Sequence, residues 1–271
     1  MARIGDLATL QAKLIREERR AWSDRVVQAA TILAVVAACF LYVGLIDPKR
    51  LAEGIPSILS LIRESLPPDF HDARTWAKPL LDTLAMSVAG TALAVALSLP
   101  LGFFAAKNTA PHPSVYFVAR TVLNGLRSIP ELIMGIIFVA AVGFGALPGV
   151  LALGLHSVGM VGKFFAEAIE HVNHEPVEAV RSAGARPLQV IFHGVLPQVL
   201  PQMADVSIYR WEYNFRASTV MGMVGAGGIG FELMSSLRLM QYADVSAILL
   251  VILIMVTVVD WLGSALRKRF K

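Results

Sequence analysis

Charged residues and cysteine are both scarce in this chain of 271 residues. Asp, Glu, Lys and Arg make up 16% of it, against about 25% in soluble domains, and Cys39 is its single cysteine. One cysteine excludes an intrachain disulfide and a thiolate metal cluster. Hydrophobic residues reach 56%, and the mean hydropathy is +0.63. This balance excludes a collagen, a disordered chain and an ordinary soluble enzyme, and it favours an integral membrane protein.

A nucleotide-binding P-loop is also missing. The pattern G-x4-G-K-[ST] finds no match, because Gly162-Lys163 is followed by Phe164. We therefore expect no nucleotide cofactor and no catalytic residue in this chain. The net charge of +4 reflects Lys and Arg in loops, so nucleic acid is not an expected partner.

Long apolar segments predict an all-α integral membrane protein with six transmembrane helices. They lie at residues 27–46, 80–105, 114–144, 147–168, 199–224 and 245–265. About 20 apolar residues cross a bilayer. The segments connecting these spans on one side, with both termini, hold 15 of the 24 Lys and Arg residues, whereas the loops on the other side hold 6. Because basic loops mark the cytoplasmic side, we expect both termini in the cytoplasm.

The same pattern divides the chain into three parts. Residues 1–26 are polar and predict a cytoplasmic amphipathic segment, and 27–79 hold the first span and an outer loop. Residues 80–271 form the predicted transmembrane domain, with a cytoplasmic loop at 170–195. Apolar residues at helical spacing in the outer loop predict a short helix on the outer membrane surface. These residues are Ile55, Ile58, Leu59, Ile62 and Leu66.

The third apolar segment is too long for one straight span and contains a helix-start pattern. Ser128 is followed three residues later by Glu131, with Pro130 in the first turn, which is typical of a capping box. A break here places a helix N-terminus, with its partial positive charge, beside Arg127, where an anion can interact. An interfacial helix that turns into an ordinary span, with Arg127 at the headgroups, explains the pattern equally well.

The fifth segment carries Arg210, Glu212 and Arg216. One charge at mid-membrane costs about 2.5–3.5 kcal/mol on insertion scales, whereas each Leu or Ile returns only about 0.3–0.6 kcal/mol. This helix must therefore be shielded by other helices or line a wet cavity. The spacing of four predicts that Glu212 pairs with Arg216 on one helix face and that Arg210 lies beside Asn214.

These charges allow two interpretations. One is an ion-pair network that fixes helix packing, and the other is a substrate pathway. The small residues Ser218 and Thr219 near Arg216 leave room for a ligand. The candidate substrate-pathway residues are Arg127, Ser128, Glu131, Arg210, Glu212, Asn214, Arg216, Ser218 and Thr219.

Glycines follow the fifth segment. They are Gly225, Gly227, Gly228 and Gly230. Three of them satisfy the dinucleotide fingerprint G-x-G-x-x-G, but that fingerprint requires a preceding strand in a βαβ unit, and here a charged membrane helix precedes it. We predict a tight turn or a gate at the outer end of the span.

The loop between the fourth and fifth segments resembles the EAA loop of importer-type ABC transporter permeases, E-A-A-x3-G-x9-I-x-L-P. The matching stretches are Glu178-Ala179-Val180, Gly184 and Gly194-Val195-Leu196-Pro197. Val180 and Gly194 depart from the pattern. A small amphipathic helix that ends at a glycine can sit in a groove of a soluble partner. The resemblance assigns coupling to an ATPase to Glu178, Ala179, Arg181, Gly184 and Pro197.

Further stretches resemble the phosphonate importer permease (PhnE) family, which includes phosphite-transporting relatives. They include Arg127–Leu132, Phe164–Glu170, Tyr209–Val220 and Met223–Gly230. The resemblance implies a type I ABC importer permease (MetI-like) fold in the bacterial inner membrane and a homodimer of six-span subunits that works by alternating access. It also implies two copies of a separate ATPase that binds ATP and Mg²⁺. The remaining implied partner is an extracytoplasmic protein that captures a phosphonate, phosphite or phosphate.

Two other functions remain open from the residues alone. Intramembrane Arg and Glu also serve ion-coupled secondary transporters, although these usually need more spans in one chain. A membrane enzyme that handles phosphorylated lipid needs a metal or acid-base site. The candidates for it are His156, His171, His174 and His193. We expect these histidines to be solvated or hydrogen-bonded and expect no metal, because no matching carboxylate cluster accompanies them.

Overall fold

The computed structural model describes residues 2–45 and 47–270, and within these residues it contains helices and no strand. The chain forms two compact units, one up to Arg63 and one from Glu64 onward. The all-helical prediction is confirmed.

The first unit contains α1 (Ala2–Val43) and most of α2 (Pro48–Glu64). Because α1 is continuous, the predicted lead-in over 1–26 and the first predicted span belong to one helix in the part of the chain that is described. The stretch Arg16–Val43 is long and apolar enough to cross a membrane. The helix predicted in the outer loop is confirmed as α2, and its place on the membrane surface stays a prediction.

The second unit begins with the helices α3 (Ala77–Ala105), α4 (Pro113–Ser128), α5 (Glu131–Val142) and α6 (Ala146–Glu170). It continues with α7 (His174–Ser182), α8 (Pro187–Val190), a π-helical turn at Ile191–Val195, α9 (Leu196–Met221), a second π-helical turn at Gly222–Ala226, α10 (Ile229–Arg238) and α11 (Tyr242–Arg267).

Small residues let α3 and α6 pack closely at the centre of this unit. A Cβ atom on Gly90 would lie 3.2 Å from the Cβ of Leu153, and one on Gly102 would lie 2.9 Å from the Cβ of Phe165. Glycine at such contacts allows two helix backbones to approach, as in other membrane bundles. In α6, 61% of the most apolar stretch is buried, against 17% in α11. The unit is therefore built around α6.

The predicted number of spans agrees with the helices. Among the described residues, four helices are long and apolar enough to cross a membrane, namely the Arg16–Val43 part of α1, α3, α6 and α11. Counting each of two bent helix pairs as one span raises the number to six. The first joins α4 to α5 at 87°, and the second joins Pro187–Ala226 to α10 at 58°.

The break in the third segment is confirmed, but the capping box is wrong. α4 ends at Ser128, and α5 begins only at Glu131, with Pro130 as the residue before it and no side-chain cap. The hydroxyl of Ser128 donates instead to the carbonyl of Asn124, at 2.7 Å. The physical reason is the extended backbone at Ile129 and Pro130, which leaves Ser128 on the last turn of α4.

Candidate functional site

A chain of buried hydrogen bonds joins α3, α6 and α9. Arg210 is 5% exposed, and its Nε donates to the Ser157 hydroxyl at 2.8 Å. That hydroxyl donates to Oδ1 of Asn214 at 3.0 Å, and Nδ2 of Asn214 donates to the Thr91 hydroxyl at 2.9 Å. The guanidinium of Arg210 also lies 4.1 Å from the centre of the Tyr213 ring. We call Thr91, Ser157, Arg210 and Asn214 the buried network, and it fixes three helices to one another.

Glu131 meets this network at the start of α5. Its Oε1 accepts a hydrogen bond from the Tyr213 hydroxyl at 3.1 Å. Its Oε2 lies 3.9 Å from Nη2 of Arg210 and 3.8 Å from Nε2 of His156, both too long for hydrogen bonds. Nδ1 of His156 lies 3.1 Å from the carbonyl oxygen of Ile129. The N-terminus of α5 therefore holds a carboxylate of the chain itself.

The other candidates at this break lie outside the buried network. Arg127 and Ser128 are both exposed at the end of α4. The backbone of Arg127 packs against Gly159, where a Cβ atom would come within 2.7 Å of the Arg127 nitrogen. The structure thus joins Glu131 to Arg210 and leaves Arg127 and Ser128 apart from them.

Arg216 belongs to a second, open ion pair. Its Nη1 donates to both carboxylate oxygens of Asp260 in α11, at 2.8 and 3.1 Å. Both side chains are partly exposed, 44% for Arg216 and 45% for Asp260. We call these two residues the open pair.

Glu212 pairs with α11 as well, and the predicted pairing of Glu212 with Arg216 is wrong. Glu212 is 5% exposed, and its Oε2 accepts from Nη1 of Arg267 at 3.2 Å. Gly263 lets the two helices approach here, because a Cβ atom at that position would overlap the Glu212 carboxyl. The four-residue spacing on α9 does not bring Glu212 and Arg216 together as a pair, because α11 supplies an oppositely charged partner to each of them.

The two small polar candidates near Arg216 hydrogen-bond to the backbone. Ser218 is fully buried, and its hydroxyl donates to the carbonyls of Phe215 and Thr83, at 2.7 and 3.2 Å. The Thr219 hydroxyl donates to the carbonyl of Arg216 at 2.7 Å. Ser218 therefore packs α9 onto α3, and the role of both residues in a substrate pathway stays a prediction.

The glycine-rich stretch forms a tight turn between α9 and α10. Gly225, Gly227 and Gly228 have φ values of +100°, +75° and +73°, which favour glycine. A Cβ atom on Gly230 would overlap the carbonyl oxygen of Thr219. The predicted turn is therefore present, and its action as a gate stays a prediction.

The loop that resembles the EAA motif forms the exposed helix α7. Its first turn is capped by Asn173, whose side chain accepts from the backbone N–H of Glu175 at 3.2 Å. Gly184, just past its end, has a φ of +79°. The exposed residues of α7 include Glu178, Ala179 and Arg181. The motif thus presents an uncovered helix that ends at a left-handed glycine.

α7 is attached to the beginning of α9. Val177 is 6% exposed, and a Cβ atom on Gly194 would lie 3.2 Å from its Cα. The side-chain amide of Gln198 donates to the carbonyl of Gly194 at 2.6 Å, and its carbonyl accepts from the Asn173 N–H at 3.0 Å. Pro197 lies in the first turn of α9, directly after the π-helical turn at Ile191–Val195. The departure from the EAA pattern at Gly194 is explained by this close contact.

Several residues of these sites were missed from sequence. They are Thr91, Ser157, Tyr213, Asp260 and Arg267. Asp260 had a signal, since it interrupts the apolar segment 245–265. Ser157 and Thr91 had no such signal, because a lone hydroxyl in an apolar helix is common. Their shared partner, Asn214, lies 57 residues from Ser157 and 123 residues from Thr91.

The chain matches the family model described as binding-protein-dependent transport system inner membrane component, over residues 98–271. It is 69% identical over 250 residues to the phosphite transport system permease protein PtxC of Stutzerimonas stutzeri, which covers 92% of this chain and 91% of that protein. It is 43% identical to the phosphate-import permease protein PhnE of Mycolicibacterium smegmatis over 88% of this chain and 44% of that longer protein.

Solved structures share the fold. A chain of the MetNI methionine ABC transporter, in an inward-facing conformation, aligns with a TM-score of 0.64 and 20% identity over 72% of this chain and 96% of that chain. A chain of an amino acid ABC transporter crystallised with histidines aligns with a TM-score of 0.61 and 17% identity over 75% of this chain and all of that chain. With the matched family model, these findings show that the chain belongs to the family of binding-protein-dependent transport inner membrane components, as a multi-pass ABC importer permease of the type I fold.

Proposed function

We propose that this permease carries phosphite, or the related oxyanions phosphonate and phosphate, across the inner membrane. The observation that carries the proposal is the 69% identity to a phosphite transport permease over 92% of this chain. Arginines within the spans agree with an anionic substrate, because a guanidinium stays charged and offers several donors to an oxyanion.

We infer an assembly of two copies of this chain, two ATPase subunits and an extracytoplasmic binding protein. The exposed part of α7 supports the ATPase contact, since Glu178 and Arg181 lie on its surface while Val177 packs against Gly194. The missing P-loop agrees with ATP and Mg²⁺ being bound by the partner. This chain itself then holds no cofactor.

The proposed mechanism is alternating access. ATP-driven closure of the ATPase subunits draws the two copies of α7 together, and the attached α9 turns with them. The path then opens outward to the binding protein, and hydrolysis reverses the motion. The glycine turn at Gly225–Gly230 is the proposed outer gate, because its left-handed residues permit a change of direction that other residues resist.

The open pair supports a substrate path along α9. A charged pair that is almost half exposed cannot face lipid without a large cost, so protein or water must cover it in the membrane. In the proposed dimer, this face of α9 borders the passage. The buried network instead holds the helices that form the wall.

Reconstitution tests this function directly. The permease, its ATPase and its binding protein are placed in vesicles, and the uptake of isotope-labelled phosphite is followed with and without ATP. We expect uptake only with all components and ATP present. Uptake that an ion gradient drives without the ATPase would contradict the proposal and support an ion-coupled transporter. Competition by phosphonate, phosphate and sulfate then ranks the substrates.

A further inference from the structure

Asp260 engages only part of the Arg216 guanidinium. Both of its oxygens accept from Nη1, at 2.8 and 3.1 Å. No hydrogen bond joins Nη2 or Nε of Arg216 to any other residue that the structure describes. A guanidinium carries N–H donors on all three nitrogens. Donors suited to a second anion therefore remain beside the bound carboxylate.

These donors can be reached from outside the single chain. Arg216 lies on a face of α9 that also exposes Tyr209, seven residues before it, by 55%, and Met223 in the π-helical turn that follows α9 is 40% exposed. Seven residues are about two turns of an α-helix, so Tyr209 and Arg216 lie in one row along α9. A solute that moves along this row meets a positive charge at Arg216.

The other arginine of α9 lacks this access. Arg210 is 5% exposed and is held by Ser157 and by the Tyr213 ring. Arg210 has its carboxylate neighbour, Glu131, at 3.9 Å, beyond hydrogen-bond distance. Of the two arginines of α9, Arg216 is therefore the open one, and Asp260 is the carboxylate that engages it directly.

We propose that Asp260 competes with the transported oxyanion for Arg216 and so lowers the affinity with which the permease holds it. The inference rests on the proposed function. Two anions that share one guanidinium repel each other, so the oxyanion binds less tightly than it would to Arg216 alone. A carrier needs such weak binding, because a tightly held substrate is not released. Asp260 also neutralises Arg216 when the path is empty.

The test measures how well phosphite protects Arg216 from chemical modification. The complete assembly is treated with phenylglyoxal at increasing phosphite concentrations, and mass spectrometry gives the labelled fraction of Arg216. In Asp260→Asn, we expect faster labelling and half-protection at about tenfold lower phosphite than in the native protein. The matched control is Asp244→Asn, at the other end of α11, which should leave both quantities unchanged.

A second variant tests whether the open pair acts on the substrate or only holds α9 and α11 together. Arg216→Gln with Asp260→Asn keeps a hydrogen-bonding pair without charge. Our inference requires that this double variant assembles and takes up little phosphite. Native uptake by the double variant overturns the inference, because the pair would then act only as a brace.

The outcomes also distinguish the inference from the proposed function. If native vesicles take up phosphite and phosphite never protects Arg216, the inference fails while the proposed function stands. If native vesicles take up no phosphonate, phosphite or phosphate, the proposed function fails. An equal half-protection concentration in Asp260→Asn and the native protein also overturns the inference.

Discussion

Arg210 and Arg216 lie six residues apart on α9 and occupy opposite kinds of surroundings. Arg210 is enclosed by side chains from two other helices and is 5% exposed, whereas Arg216 reaches one carboxylate and keeps 44% of its side chain open. Insertion scales assign an arginine at mid-span a cost of about 2.5–3.5 kcal/mol without regard to its neighbours. The comparison shows that a charged residue within a span has a specific role, and that its neighbours decide whether this role is helix packing or transport.

The largest expected effect is on the buried side of this comparison. Arg210→Ala removes the donor to Ser157 and leaves the carboxylate of Glu131 without its nearby positive charge. Breaking such a buried pair costs about 3–5 kcal/mol, so we expect little folded assembly. Thermal unfolding in detergent measures the loss of stability, and the amount of inserted protein measures the loss of assembly. A fully assembled variant with weakened transport alone would place Arg210 in the substrate path.

Arg216→Ala should affect transport and spare assembly. A hydrogen bond to a charged group is worth about 1.5–3 kcal/mol, so uptake should fall about 10- to 100-fold while the melting temperature changes little. Vesicle uptake normalised to assembled protein gives the answer. Equal losses of assembly and uptake would mean that the open pair packs helices as the buried network does.

Gly184→Ala should impair transport while both arginines of α9 stay in place. At a φ of +79° a side chain adds strain of about 1–3 kcal/mol, although open space surrounds the position. We expect ATP hydrolysis that no longer drives uptake, with phosphite still protecting Arg216. Gly125→Ala is the matched control, since its Cβ also meets open space but its backbone is helical. Normal coupling in Gly184→Ala would remove α7 from the proposed mechanism.

Thr219→Ala should have the smallest effect. Among the described residues its hydroxyl bonds to one group, the backbone carbonyl of Arg216, so stability and uptake should change by no more than about 0.5 kcal/mol, or twofold. Uptake kinetics check this. A tenfold loss of uptake would show that the path extends from Arg216 to Thr219.

Local patterns predicted the parts of this permease that depend on neighbouring residues. The break in the third apolar segment, the turn at the glycines and the helix that ends just before Gly184 were all predicted from short stretches. Each follows from a backbone preference of proline or glycine, or from apolar spacing. The capping box at Ser128 failed for a local reason too, because the extended residues at Ile129 and Pro130 separate Ser128 from the next helix.

The ion pairs could not be predicted in this way. The rule for residues four apart describes an isolated helix, and it joined Glu212 to Arg216. In the folded chain, α11 supplies Asp260 and Arg267, 44 and 55 residues away. Which of two distant charges lies closer depends on how helices cross, and no local spacing encodes that crossing. The roles of the candidate site residues stay predictions.

The contact of α7 with the beginning of α9 has a mechanical consequence. Asn173 and Gln198 tie the two helices together, and Arg216 lies 18 residues further along α9, so the helix forms a lever arm of about 27 Å. A tilt of about 10° at the tie would displace the far end by about 5 Å relative to α11. That distance is enough to draw Arg216 away from Asp260, so a push on α7 and the capture of an anion by Arg216 can be one movement.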